Sequence, residues 1–170
     1  MPRYLLQDHL GRAVMHNDFR GRLQLITFGF TSCPDVCPTT LLAFKLILDG
    51  LGKQADRLQP IFISVDPERD TAAMLHEYTS AFDPRILGLR GSPELLQSAA
   101  KSFNVRYEKV REPGAAPDIY TMDHSTGMYL LGSDGRFLVK FSHTASPQKV
   151  SARILELMAT DHSLTPKGRR

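Results

Sequence analysis

The hydrophobic positions of the chain fall into short continuous runs and longer runs with helical periodicity. Residues 23–30, LQLITFGF, are apolar and β-rich, which is typical of a buried central strand. The segment 38–54 carries a helical apolar stripe and has glycines near its end, where a helix is expected to stop. Residues 61–65, IFISV, form a second apolar run that ends at Asp66-Pro67. This half of the chain therefore predicts the order strand, helix, strand.

The second half continues the alternation and closes with a hairpin and a helix. Helical stripes lie at 72–82, 92–103 and 147–158, and apolar runs lie at 86–89, 126–131 and 136–141. An Asp-Gly pair between the last two runs is typical of an antiparallel hairpin turn. Residues 112–117, EPGAAP, predict a loop and the most mobile segment. The whole pattern predicts an α/β fold with a mixed central β-sheet flanked by α-helices.

Length and composition are those of one globular domain. The 170 residues are 42% hydrophobic and 23% charged, close to the average for folded proteins, and suffice for one core. We expect a single domain over residues 1–170, with 1–22 as an irregular or hairpin extension and 161–170 as a flexible basic tail. Apolar runs stay well short of the ~20 residues that cross a membrane, so membrane association is expected only through a segment outside this sequence.

The charge pattern gives little reason to expect a nucleic-acid partner. The formal net charge is +3, and the basic residues are scattered except in the last four positions. No helix-turn-helix, zinc-finger or RNA-binding aromatic pattern accompanies them. Nucleic acid is therefore excluded from the expected partners.

The chain contains two cysteines, Cys33 and Cys37, four positions apart. They follow a predicted strand and precede a predicted helix, where free backbone N–H groups and the helix dipole stabilise a thiolate. A thiolate both binds soft metals and attacks disulfides. Four residues apart on one helical face, the two sulfurs can converge on a metal or, with local distortion, on each other. Spacing alone does not choose between these outcomes.

Counting ligands favours copper over zinc. Thiolates select copper(I) or zinc, but zinc ordinarily takes four ligands and the chain has no third cysteine. Copper(I) binds stably with fewer soft ligands than zinc needs. Two other interpretations stay open, namely inert buried cysteines and a disulfide that closes a short loop.

Three separated motifs agree in order and spacing with one known family. TFGFTSCPDVCPTTL, ISVDPERDT and YTMDHSTGMYLLGSDGRF together resemble the Sco/SenC family of copper-binding cytochrome c oxidase assembly proteins, over nearly the whole domain. The resemblance implies a thioredoxin-like fold. It also implies that Cys33, Cys37 and His124 are copper ligands.

From the residues alone, His124 is a weaker candidate than the cysteines. It precedes a predicted strand, where a loop can bring its imidazole to the thiols, but a histidine beside an acid is often an ordinary hydrogen-bonded residue. Imidazole suits copper in either oxidation state, so Cu(II) accompanies Cu(I) as a candidate cargo. Asp123 is a candidate to orient the ring. Met122 and Met128 are interpreted as core residues.

The resemblance implies a copper metallochaperone that passes copper to the copper-bearing subunit of cytochrome c oxidase. Other copper chaperones or thioredoxin-like reductases are further expected partners. The expected location is the bacterial periplasm, with a tether to the inner membrane, or alternatively the mitochondrial intermembrane space.

Two enzymatic alternatives use the same cysteines. In a thiol-disulfide reductase, Cys33 exchanges with a partner, for example the oxidase copper-site cysteines, and Cys37 resolves the mixed disulfide. A peroxidase resembling the peroxiredoxins is disfavoured, because Pro34 stands where their Thr-x-x-Cys motif needs a cysteine. Which of copper delivery and thiol exchange dominates stays open.

Overall fold

The computed structural model describes residues 1–161 and contains nine strands and four α-helices within them. In chain order the strands are β1 (Leu5–Gln7), β2 (Ala13–Met15), β3 (Leu23–Gly29), β4 (Leu58–Ser64), β5 (Leu87–Leu89), β6 (Tyr107–Val110), β7 (Thr121–His124), β8 (Met128–Leu131) and β9 (Phe137–Phe141). The helices are α1 (Val36–Leu51), α2 (Ala72–Phe82), α3 (Pro93–Ser102) and α4 (Pro147–Thr160), with a short 3-10 helix at Gly52–Arg57.

A five-stranded mixed sheet lies at the centre, in the order β5-β4-β3-β8-β9. Strands β3 and β4 run parallel from Leu23 opposite Leu58 to Gly29 opposite Ser64, and every residue of both is buried. Strand β8 pairs antiparallel with β3 and with β9. The predicted α/β class, the mixed sheet and the terminal hairpin are confirmed.

The helices pack around this sheet, and α2 and α3 each begin directly after a capping residue. Thr71 accepts a hydrogen bond from Met74 N at the start of α2, and Ser92 does the same from Leu95 N before Pro93 in α3. Helix α1 packs on α4, and α2 packs on β5. The predicted stop of α1 is also found, because Gly52, with φ of 54°, follows its last residue.

Two details of α1 differ from the prediction. The helix starts at Val36, two residues before the predicted 38, so Cys37 lies within it. Leu42 and Leu46 belong to the predicted apolar stripe but are 49% and 42% exposed. Neither leucine contributes to the core, which is built from the other apolar positions of the helix.

One continuous core cluster extends along the chain from Tyr4 to Met158. The N-terminal strands β1 and β2 form an antiparallel pair whose Leu6 is fully buried in that core. Of the tail expected at 161–170, only Asp161 lies within the described residues. Among the helices of residues 1–161, none combines the length and the apolar character needed to cross a membrane.

A second hairpin, β6 and β7, departs most from the sequence prediction. The two strands form a separate antiparallel sheet in which Tyr107 is opposite His124, and the predicted loop 112–117 lies in the connection between them. The sequence pattern predicted no strand at 121–124. The prediction that a loop carries His124 is therefore wrong, because this residue ends strand β7.

Candidate metal and thiol site

The two cysteines lie at the carboxyl end of β3, on either side of the start of α1. Cys33 is half-buried in the turn before the helix, and its N–H donates to Phe30 O at 3.2 Å. Cys37 is the second residue of α1 and only 2% exposed. Both are free thiols. The expectation that both stand on one helical face is wrong, because the helix begins after Cys33.

Gly29 makes room for the Cys37 side chain. A Cβ on Gly29 would lie 2.6 Å from Cys37 Sγ and 2.8 Å from Phe62 Cε2, far inside ordinary contact distance. The last residue of β3 must therefore lack a side chain for α1 to dock in this position.

Burial raises the pKa of Cys37, in spite of its place at the start of a helix. Loss of hydration is the largest cause, a hydrogen bond from the Phe30 backbone partly offsets it, and neighbouring Cys33 raises the pKa further. The predicted stabilisation of a thiolate is thus wrong for Cys37. The helix start cannot compensate for the removal of a charged sulfur from water.

The Nε2 atom of His124 faces the sulfur of Cys37. Its Nδ1 lies 2.8 Å from Ser125 O, and because a carbonyl can only accept, Nδ1 carries the proton. Nε2 is thus the ring nitrogen left to offer a lone pair to a metal, and it lies 3.9 Å from Cys37 Sγ. The Phe30 ring meets the imidazole edge-on at 5.8 Å. This tautomer is the one that a metal ligand needs.

Asp123 does not orient the imidazole. Its neighbour Ser125 supplies the acceptor for Nδ1, and Asp123 is exposed on the opposite face of β7. The proposed orienting role is wrong. Met122 and Met128 are buried, at 9% and 0% exposure, as predicted for core residues.

Asp70 is a structural anchor of the site that the sequence reasoning missed. It is fully buried and accepts hydrogen bonds from Thr31 N at 3.1 Å, Thr31 Oγ1 at 2.6 Å and Ser64 Oγ at 2.7 Å. These bonds join the turn before Cys33 to the end of β4. In the motif ISVDPERDT, no local signal marks the second aspartate as buried.

The three candidate ligands approach one another without forming a finished site. Cys37 and His124 converge, and Cys33 lies in the adjoining turn. Within residues 1–161, no three histidine, cysteine, aspartate or glutamate side chains are already arranged to hold a metal ion. A metal bound by all three therefore requires the Cys33 turn or His124 to move.

A mixed sheet flanked by helices, with a dithiol at a strand-to-helix turn and an imidazole facing it from a later strand, is the arrangement of a thioredoxin-like domain. The SCO1/SenC family model matches residues 1–159, and the chain belongs to this family. The mitochondrial protein SCO2 homolog of Mus musculus is 38% identical over 165 residues, which are 96% of this chain and 64% of that protein.

Solved structures show the same fold. ScoI of Bradyrhizobium japonicum with copper bound is 41% identical, with a TM-score of 0.82 over 91% of this chain and 96% of that one. Yeast Sco1 with copper bound is 31% identical, with a TM-score of 0.84 over 99% and 94% of the two chains. The predicted thioredoxin-like fold is thereby confirmed.

Proposed function

We propose that this protein is a copper-binding metallochaperone that helps to insert copper into cytochrome c oxidase. The observation that carries the proposal is the position of His124. Its Nε2 lies 3.9 Å from Cys37 Sγ while its Nδ1 contacts Ser125 O, and Cys33 lies in the adjoining turn. Membership of the SCO1/SenC family and the copper bound by two related proteins support it.

Copper is cargo in this proposal, held by Cys33, Cys37 and His124. Two sulfurs and one imidazole suit copper(I), and the imidazole also accommodates copper(II). Cys33 is half-buried while Cys37 is almost inaccessible. An acceptor ligand therefore first replaces Cys33, and Cys37 leaves the copper last.

The proposed acceptor is the copper-bearing subunit of the oxidase, with other copper chaperones or thioredoxin-like reductases acting before it. The proposed location is the bacterial periplasm, with a membrane tether outside the sequence described, or the mitochondrial intermembrane space. These assignments rest on the family.

Anaerobic titration of the reduced protein with copper(I), in competition with a chromophoric chelator, tests the ligand set. We expect one tight equivalent, a large loss of affinity in Cys37→Ser and a smaller one in His124→Ala. His143→Ala, in the connection between β9 and α4, is the matched control and should bind like the unmodified protein. Full affinity in His124→Ala would remove the histidine from the site.

A thiol-disulfide reductase is the second candidate, favoured by the unequal burial of the two thiols. The Cys33 thiolate would attack a partner disulfide, form a mixed disulfide and release one partner thiolate. Cys37 would then lose its proton and attack Cys33 Sγ. This step releases the second partner thiol and leaves a Cys33–Cys37 disulfide that carries the two-electron oxidation.

A deletion strain separates the two functions. If the protein delivers copper, the oxidase of the deletion strain should contain little copper, and copper added to the medium should restore its copper content. Normal oxidase together with disulfide-sensitive growth would make thiol exchange the main function.

A further inference from the structure

The β6–β7 hairpin carries His124 yet lies outside the central sheet. It forms its own two-stranded sheet, and an isolated hairpin of this kind is only marginally stable in water. Contacts to the rest of the domain must therefore fix the position of the imidazole. Beyond the end of β7, Thr27 Oγ1 donates to Gly127 O at 2.9 Å in the core.

A cluster that we call the hairpin anchor, consisting of Asp66, Arg69 and Tyr120, holds the other end of β7. Tyr120 directly precedes the strand, and its hydroxyl donates to Asp66 Oδ1 at 2.7 Å. Arg69 donates through Nε to Asp66 Oδ2 at 2.5 Å and through Nη1 to Tyr120 O at 2.7 Å. Its guanidinium also lies 3.7 Å from the Tyr120 ring centroid, a cation–π contact.

Asp66 is the buried residue of the anchor, whereas Arg69 and Tyr120 are half-buried. Asp66 is 2% exposed and its N–H donates to Ser64 Oγ at the end of β4. Arg90 donates to Pro67 O at 2.9 Å and to Asp70 O at 3.0 Å, which fixes the turn. Burial and the bond to the Asp66 carboxylate raise the pKa of Tyr120 to about 12, so its hydroxyl stays a donor at physiological pH.

A neighbouring ion pair offers a contrast. Lys109 on β6 bonds to Glu68 at 2.9 Å, but Glu68 is 68% exposed, and exposed pairs of this kind contribute little. The hairpin is therefore joined to the turn after β4 mainly through the hairpin anchor and its buried carboxylate, Asp66.

We propose that the hairpin anchor positions the metal site. It keeps β7 against the end of β4, so that His124 Nε2 stays within reach of Cys37 Sγ. Arg69 and Tyr120 are positioning residues that act through His124 and do not touch the metal. The copper-dependent part of this inference rests on the proposed function.

The test compares Tyr120→Phe, Arg69→Met and the control Glu68→Gln, each with His124 intact and with His124→Ala. Amide hydrogen exchange of residues 121–124 in the reduced, metal-free protein reports the position of β7 directly. Copper(I) affinity of the same proteins, measured by chelator competition, reports its effect on the site.

We expect Tyr120→Phe to exchange these amides about tenfold faster and to bind copper(I) about tenfold more weakly, as loss of one charge-assisted hydrogen bond implies. Arg69→Met, which removes two hydrogen bonds and the cation–π contact, should show at least the same changes. Glu68→Gln should change neither quantity. In the His124→Ala background the anchor variants should lose no further affinity, since the residue through which they act is gone.

The proposal would be overturned if the anchor variants left amide hydrogen exchange at residues 121–124 unchanged. It would also be overturned if they lost the same copper(I) affinity with His124 intact as with His124→Ala. If the unmodified protein takes up no copper, the proposed function fails, and amide exchange still decides whether the anchor positions β7.

Discussion

Gly29→Ala is expected to damage the site by displacing one sulfur atom. The added Cβ would lie 2.6 Å from Cys37 Sγ and 2.8 and 3.0 Å from two atoms of the Phe62 ring. Carbon atoms in contact prefer about 3.5–4.0 Å, so the sulfur must shift by roughly 1 Å. Overpacking of this kind costs about 1–3 kcal/mol of folding stability. The shift acts directly on the distance between Cys37 and His124.

Gly88→Ala is a matched control for this substitution. Gly88 is also buried in a central-sheet strand, and its added Cβ would lie 2.8 Å from Leu75 Cγ, away from the thiols. Urea unfolding should show losses of similar size in both variants. Chelator competition should show weakened copper(I) binding in Gly29→Ala alone. Copper affinity that is unchanged in Gly29→Ala, or reduced equally in both variants, would refute the steric reasoning.

Three further predictions concern buried polar groups. Tyr78→Phe should raise the free energy of unfolding by about 1 kcal/mol, because its buried hydroxyl has no hydrogen-bond partner among residues 1–161; a urea midpoint that falls would contradict this. Arg85 holds the pKa of Asp83 below its ordinary value of 3.8, so this carboxylate stabilises the fold above that pH and the effect disappears as acid protonates it. Asp83→Asn should therefore be less stable than the unmodified protein at pH 7, and this difference in stability should disappear in thermal unfolding at acid pH. A difference that does not depend on pH would count against the ion pair. Asp70→Ala should cost about 2–4 kcal/mol in urea unfolding, because Thr31 loses two bonds to a buried carboxylate, and a cost below 1 kcal/mol would disprove the anchoring role.

The pattern of hydrophobic residues predicted the central strands well but missed some of their boundaries. The apolar run of β3 was found over nearly its whole length, whereas β4 was predicted from Ile61 although it begins at Leu58. Pro60 lacks an N–H and is typical of strand edges. The structure accommodates it because β5 pairs only with Ile61–Ile63, which leaves the beginning of β4 as an edge on that side.

The sequence by itself determined the α/β alternation and the thiol pair at a strand-to-helix junction, since periodicity and turn residues act between near neighbours. Only the tertiary structure decided that His124 ends a strand and meets Cys37, a residue 87 positions away. It also decided that burial raises the pKa of Cys37 and that Tyr120 joins Asp66 and Arg69. Such contacts depend on how distant segments pack and exclude water, which no local pattern specifies.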